Sequence, residues 1–225
     1  YDACMDILAK KFTSDESVKE KLIRAWEFSS QALLMTPWDL SWVFRFSNLQ
    51  PYDRAYWGRI PFFITMQTPW STPSWLSNRR SYYQIVKDTN LLSDHMKRDF
   101  DKRIMLALGY ARQALDIYDA LDCLNCDELK MQRNAVQFFY LILTARRNYM
   151  NLCELLEKNK AGEENYAVIR ALLEADLANA KAFVDFNTKQ NIEYYYPTEK
   201  SREGLAYLEK ICSDEPENVQ DYFDF

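Results

Sequence analysis

The sequence predicts an all-α protein: an antiparallel helical bundle that carries a long, ordered loop rich in aromatic residues and proline. Glycine is scarce, with four in 225 residues, which argues against an all-β sandwich or barrel. Apolar residues recur every three or four positions over several long stretches, as on one face of an α-helix. All six tryptophans and five of the seven prolines lie between Trp26 and Trp75, so the irregular part of the chain is confined to one segment.

The N-terminal part, residues 1–36, is predicted to form two helices, of which the first covers about 2–12. Thr13 and Glu16 form the capping-box signature of a second helix start, and Pro37 ends that helix. Its apolar positions have a period near 3.6. They are Val18, Leu22, Ile23, Trp26, Ala32 and Leu33.

Residues 37–90 form the aromatic, proline-rich segment. They show no sustained period beyond a helix predicted at about 75–86, and their prolines interrupt any long helix or central strand. Because a structureless loop of this length is uncommon in a compact domain, we expect an ordered loop with short helical turns that packs against another surface.

Residues 91–212 are predicted to form the long-helix bundle. Helices are expected from Ser93 to about 121, and over about 128–158, 164–186 and 198–212, with Gly162 as a C-terminal glycine. Gly109 interrupts an apolar stripe, which predicts close approach by a neighbouring element. Short turns between long helices favour antiparallel packing, so residues 1–225 are expected to form a single helical domain. Residues 213–225 read as an acidic tail that frays.

Two of these helices have apolar positions specific enough to test. The helix that starts at Ser93 is predicted to bury Met96, Phe100, Ile104, Ala107, Leu108, Ala111, Leu115 and Tyr118. The helix over about 164–186 is predicted to bury Val168, Leu172, Leu173, Ala175, Leu177, Ala180 and Val184.

Several kinds of chemistry find no support in the sequence. The net charge of −5, with both signs interspersed, leaves no basic footprint for nucleic acid, and the longest apolar run, about 135–143, is too short to span a bilayer. His95 is the only histidine and lies in a predicted helix without a catalytic motif. No cofactor or metal is predicted, since phosphate-binding loops and metal-binding motifs are missing.

The five cysteines do not suggest a disulfide framework, because their number is odd. Cys123 and Cys126 form a Cys-x-x-Cys pair, but a zinc site would need two further ligands. A redox role would need a βαβ context. We therefore interpret the pair as small apolar residues at a helix–helix turn.

Two carboxylates could in principle support glycoside hydrolysis. Asp39 and Asp53 lie in the aromatic segment, and Glu27 lies just before it. Alternatively, Asp39 caps a short helix after Pro37, and Asp53 pairs locally with its neighbour Arg54.

The aromatic segment is the best candidate for a ligand surface. Flat indole faces suit the apolar C–H patches of sugar rings, and Arg and Asp side chains suit their hydroxyl groups. Alternatively, these tryptophans are core residues that pack the loop onto the helices, and Trp26, on a helical stripe, is assigned to the core. The predicted ligand-binding residues are Trp38, Trp42, Tyr52, Asp53, Arg54, Trp57, Trp70, Trp75 and Arg79.

Two parts of the chain resemble known sequences. Residues 25–32, Ala-Trp-Glu-Phe-Ser-Ser-Gln-Ala, followed by the loop at 50–61, resemble a helix and loop after the catalytic barrel of large bacterial glycoside-hydrolase-like proteins. Residues 174–180, 193–196 and 208–211 are similar to the closing helices of the same proteins. The resemblance implies the C-terminal helical part of a carbohydrate-active protein whose catalytic barrel lies elsewhere, outside the cytoplasm.

Three functions remain open. The leading expectation is a non-catalytic accessory domain whose residues 37–80 dock on the catalytic domain of the same parent chain or line a glycan cleft, with an oligosaccharide as a second possible partner. The alternative is a helical protein–protein interaction module, since Trp, Tyr and Arg dominate interface energetics. A stand-alone carboxylate hydrolase ranks last. The chain begins with Tyr1 rather than Met, which suggests a processed piece, so without the resemblance its location is open.

Overall fold

The structure, a computed structural model, describes residues 2–35, 94–121, 126–160, 162, 164–190 and 198–222. These residues are almost entirely helical, and no strand occurs among them, which confirms the all-α prediction at this level. None of the helices in these ranges combines the length and apolarity that crossing a membrane requires.

Six α-helices and one 3-10 helix make up the described ranges, and we number the α-helices in chain order. They are α1 (Asp2–Ala9), α2 (Glu16–Met35), α3 (Asp94–Ala120), α4 (Asp127–Lys160), α5 (Tyr166–Gln190), α6 (Thr198–Ser213) and the C-terminal 3-10 helix (Pro216–Tyr222). Their positions agree with the predicted helices to within a few residues at each end.

The chain divides into two compact units, with boundaries inside α3 and inside α4. Unit 1 comprises Tyr1–Leu40 and Asp99–Tyr140, and unit 2 comprises Ser41–Arg98 and Leu141–Phe225. Each unit has its own buried interior among the described residues.

The interior of unit 1 combines alanines with larger side chains. Six of its fourteen buried apolar residues that the structure describes are alanines, and Phe138 and Phe139 are also buried. Phe12, Val18 and Trp26 pack partly buried around this cluster. The cluster consists of Ala9, Leu22, Ala25, Ala114, Tyr118, Leu121 and Leu129.

Helix α2 is capped by Asp15 rather than by the predicted Thr13. The Asp15 carboxylate accepts hydrogen bonds from the backbone N–H groups of Ser17 (2.8 Å) and Val18 (3.2 Å). The Thr13 hydroxyl instead accepts the N–H of Asp15 at 3.1 Å. The prediction was therefore wrong by two residues. Three consecutive residues could serve as caps, and the carboxylate interacts best with the positive end of the helix.

The close approach predicted at Gly109 is not found among the residues that the structure describes. Gly109 is exposed, and none of their atoms lies within 4 Å of a Cβ atom built on it. Five of the positions predicted to be buried on α3 are buried, namely Ile104, Ala107, Ala111, Leu115 and Tyr118, whereas Leu108 is only partly buried. At about 100° per residue, Gly109 lies on the opposite side of the helix from Ala107 and Ala111.

In unit 2, α4 and α5 form an antiparallel pair. The Asn179 amide donates to the carbonyl of Leu141 at 3.0 Å, and the Asn148 amide donates to Asp176 at 2.9 Å, so contacts run in opposite order along the two helices. Gly162 follows α4 with a φ of 92°. This left-handed conformation confirms its prediction as a C-terminal glycine.

The buried face of α5 differs from the predicted apolar stripe. Val168 is 54% exposed and Ala175 is also exposed, whereas Ile169 and Asp176 are buried. The prediction counted only apolar residues, so it missed polar positions on the same face. The buried residues of α5 are Ile169, Leu173, Asp176, Asn179, Ala180, Phe183, Phe186 and Asn187.

The predicted fraying of the acidic tail is wrong for residues 216–222. They form the C-terminal 3-10 helix, which packs against α5 and α6. Val219 is fully buried, and the ring of Tyr222 meets that of Tyr207 edge to face at 6.1 Å. Val219 and Tyr222 are three residues apart, which in a 3-10 helix places them on one face.

Candidate functional site

The nine predicted ligand-binding residues lie outside the described residues. The same holds for Asp39, for Cys123 and for the whole aromatic segment, residues 37–90, since residues 36–93 are not described. The predicted site is therefore untested. The nine residues are Trp38, Trp42, Tyr52, Asp53, Arg54, Trp57, Trp70, Trp75 and Arg79.

Within the described residues, the most site-like feature is an open depression of about 470 Å³ on one face of α2. The described side chains that line it come from this helix, and they recur every three or four positions, so they share one face. They are Glu20, Ile23, Arg24, Glu27, Phe28 and Gln31. Glu27 and Phe28 belong to the segment that carries the resemblance.

Phe28 is the aromatic centre of this depression. Its ring stacks on Tyr110 of α3, with a centroid distance of 6.1 Å and an interplanar angle of 23°. The guanidinium carbon of Arg24 lies 5.4 Å from the Phe28 centroid, within the range of a cation–π contact. Glu20 and Glu27 add carboxylates on the same face, so the surface offers apolar contact beside charges of both signs.

Trp26 points its polar group into unit 1 and not into this depression. Its indole N–H donates to the side-chain oxygen of Gln132 at 2.7 Å, and its ring meets Phe12 edge to face at 6.0 Å. Since its single donor is used inside the unit, the prediction that Trp26 is a packing residue is confirmed.

Tyr118 shares the same acceptor. Its hydroxyl donates to Gln132 at 3.3 Å, and burial raises the pKa of Tyr118 to about 12. The phenol therefore stays neutral at physiological pH and acts as a hydrogen-bond donor within the packing.

A buried polar seam joins α4 and α5 in unit 2, and sequence reasoning missed it. Asp176 is only 2% exposed, and Asn148 and Asn179 are also buried. The bonds from Asn148 to Asp176 and from Asn179 to the Leu141 carbonyl fix these two helices against each other. A signal was present: Asp176 lies three residues after Leu173 and four before Ala180, on the buried stripe.

The cysteines that the structure describes show no sign of a metal site. Cys126 precedes α4 and its thiol donates to the Glu128 carboxylate at 2.9 Å, which lowers the pKa of Glu128. Burial raises the pKa of the half-buried Cys212 thiol to about 11. No group of three or more His, Cys, Asp or Glu side chains suited to a metal ion occurs among the described residues.

His95 lies in α3, as predicted for a helical histidine. No protein-family profile, curated protein or solved structure matches this chain. The resemblance to glycoside-hydrolase-like proteins therefore stays a prediction.

Proposed function

We propose that this chain is a non-catalytic helical accessory domain of a carbohydrate-active protein. In this proposal the helices form an antiparallel bundle that carries residues 37–80 as an ordered aromatic loop. That loop packs on the catalytic domain of the parent chain or lines its glycan cleft. The observation that carries the proposal is that five of the six tryptophans fall within residues 37–80.

The described helices support a scaffold role. Trp26, the tryptophan outside that segment, is bonded to Gln132 inside unit 1. The polar seam of unit 2 bonds Asn148 to Asp176 within the helix pair. These side chains serve packing, so the aromatic segment is the more suitable place for recognition, as loops on rigid scaffolds often are.

The chemistry of the segment fits a glycan surface. Trp57 and Trp70 would offer flat apolar faces to sugar rings, and Asp53 and Arg54 would bond their hydroxyl groups. Binding sites commonly combine aromatic walls with a few polar groups that fix orientation.

Tryptophan fluorescence tests this proposal directly. Trp26→Phe removes the one emitter outside the segment, so the remaining five report on residues 37–80 alone. We expect acrylamide to quench this emission and a panel of oligosaccharides to protect it. Trp57→Ala and Trp70→Ala should weaken sugar binding, whereas Trp26→Phe, which keeps an aromatic ring in the packing, should bind sugar normally.

Two results would contradict the proposal. Blue-shifted emission that acrylamide cannot quench would show that the tryptophans of the segment are buried. The segment would then have a role in domain packing and not in glycan binding. If the parent protein binds glycans equally well with both Trp57 and Trp70 changed to Ala, the cleft-wall version fails.

A second candidate is a helical protein–protein interaction module. It is favoured by large apolar side chains exposed on three helices: Leu34 (73%), Met131 (71%) and Ile7 (61%). All three residues belong to unit 1, and in this candidate function they would contribute to one exposed apolar patch, the kind of surface that marks an interface. Sedimentation equilibrium should then show self-association that Leu34→Gln weakens and Val168→Gln, at an exposed position of unit 2, does not. If the protein sediments as a monomer at all concentrations tested, these residues do not form a self-association interface.

A further inference from the structure

We draw no further inference here: the strongest candidate, the mixed apolar and charged depression on the face of α2 between Glu20 and Gln31, carries nothing because no feature of the described part of the chain shows what covers it.

Discussion

The two units bury polar side chains in different ways. In unit 1 the polar atoms sit at the ends of long side chains: Trp26 and Tyr118 reach the Gln132 amide. In unit 2 short polar side chains lie wholly inside, as Asp176 does at 2% exposure. Water can replace a lost partner at the edge of a unit but not in its interior, so the same kind of substitution should cost more in unit 2.

The two units also differ in the sizes of their buried apolar side chains. Among the buried apolar side chains that the structure describes, alanines are six of fourteen in unit 1 and two of fourteen in unit 2. Both units bury phenylalanine rings, and Phe183 of unit 2 is 0% exposed. Truncating Phe183 removes more buried volume than truncating Leu22 of the unit 1 cluster, which predicts different losses of stability.

The largest expected effect is that of Phe183→Ala. Removing a fully buried ring leaves a cavity, and we expect the free energy of unfolding to fall by about 3–5 kcal/mol. Leu22→Ala in unit 1 removes less volume, so its loss in free energy of unfolding should be smaller than that of Phe183→Ala, within the range of about 2–5 kcal/mol. Urea denaturation followed by circular dichroism measures both.

Phe183→Leu is the matched control, because it keeps an apolar side chain and leaves a smaller cavity. It should lose less stability than Phe183→Ala. Equal losses for the two variants would show that cavity volume does not set the stability of unit 2.

The next largest effect concerns the polar seam. Asn148→Leu removes the N–H donor at 2.9 Å from the buried Asp176 carboxylate, and we expect a loss of about 1.5–3 kcal/mol, as for hydrogen bonds to charged groups. Asp176→Leu should cost a similar amount. The double variant should cost less than the two single losses added together, since no buried polar group of this pair remains. Strict additivity would mean that the two side chains do not act together.

The corresponding change in unit 1 should be milder. Gln132→Leu removes the acceptor of both Trp26 and Tyr118. Tyr118 is buried, but Gln132 and Trp26 are only partly buried, so water can reach this part of the network. We expect a loss of about 1 kcal/mol and a change in Trp26 fluorescence. A loss as large as that of Asn148→Leu would remove the contrast between the two units.

Two glycines are expected to change stability by a similar amount but in opposite directions. Gly162 has a φ of 92°, a conformation that costs an L-residue about 1–2 kcal/mol, so Gly162→Ala should destabilise unit 2. Gly109 has open space around its Cβ position, so Gly109→Ala should stabilise α3 by about 0.5–1 kcal/mol. Thermal unfolding midpoints that shift in the same direction for both would contradict this assignment.

The helices could be predicted from sequence because apolar periodicity is a local signal. Ile104, Ala107 and Ala111 repeat every three or four residues, and they are buried as that spacing requires. Asp176 was missed because hydrophobic periodicity identifies only apolar residues as buried. In addition, its hydrogen-bond partner Asn148 lies 28 residues away in the sequence, so no local pattern relates the two residues.

For the candidate ligand surface, the sequence predicts which residue types are present but not how they are arranged. No helical period relates Trp38, Trp57 and Trp70, so local pattern does not determine which of them share a face. The Asp15 cap shows the same limit on a small scale: Thr13, Ser14 and Asp15 are all suitable caps, and the choice depends on where the first turn begins.

The smallest effect is expected at the C-terminal 3-10 helix, where a single carboxylate organises the turn. Asp214 accepts hydrogen bonds from the Asn218 amide (2.9 Å), the Tyr222 hydroxyl (2.7 Å) and the backbone N–H of Glu215 (2.8 Å). These bonds, that from Asn218 above all, hold the pKa of Asp214 below its ordinary value of 3.8. A lowered pKa in the folded state means that this stabilisation is present above the ordinary value and is lost as the pH falls through the folded value.

Asp214→Asn should therefore lower the thermal midpoint slightly at neutral pH and make its decline in acid shallower than in the wild type. Glu217→Gln is the matched control: it removes one negative charge from the same 3-10 helix, and the bonds to Asp214 remain. Tyr222→Phe removes only one of those bonds and should give a smaller change than Asp214→Asn. If Asp214→Asn and the wild type lose stability in parallel as the pH falls, the carboxylate does not hold the turn, and apolar packing, such as the burial of Val219 and the contact of Tyr222 with Tyr207, keeps the 3-10 helix in place.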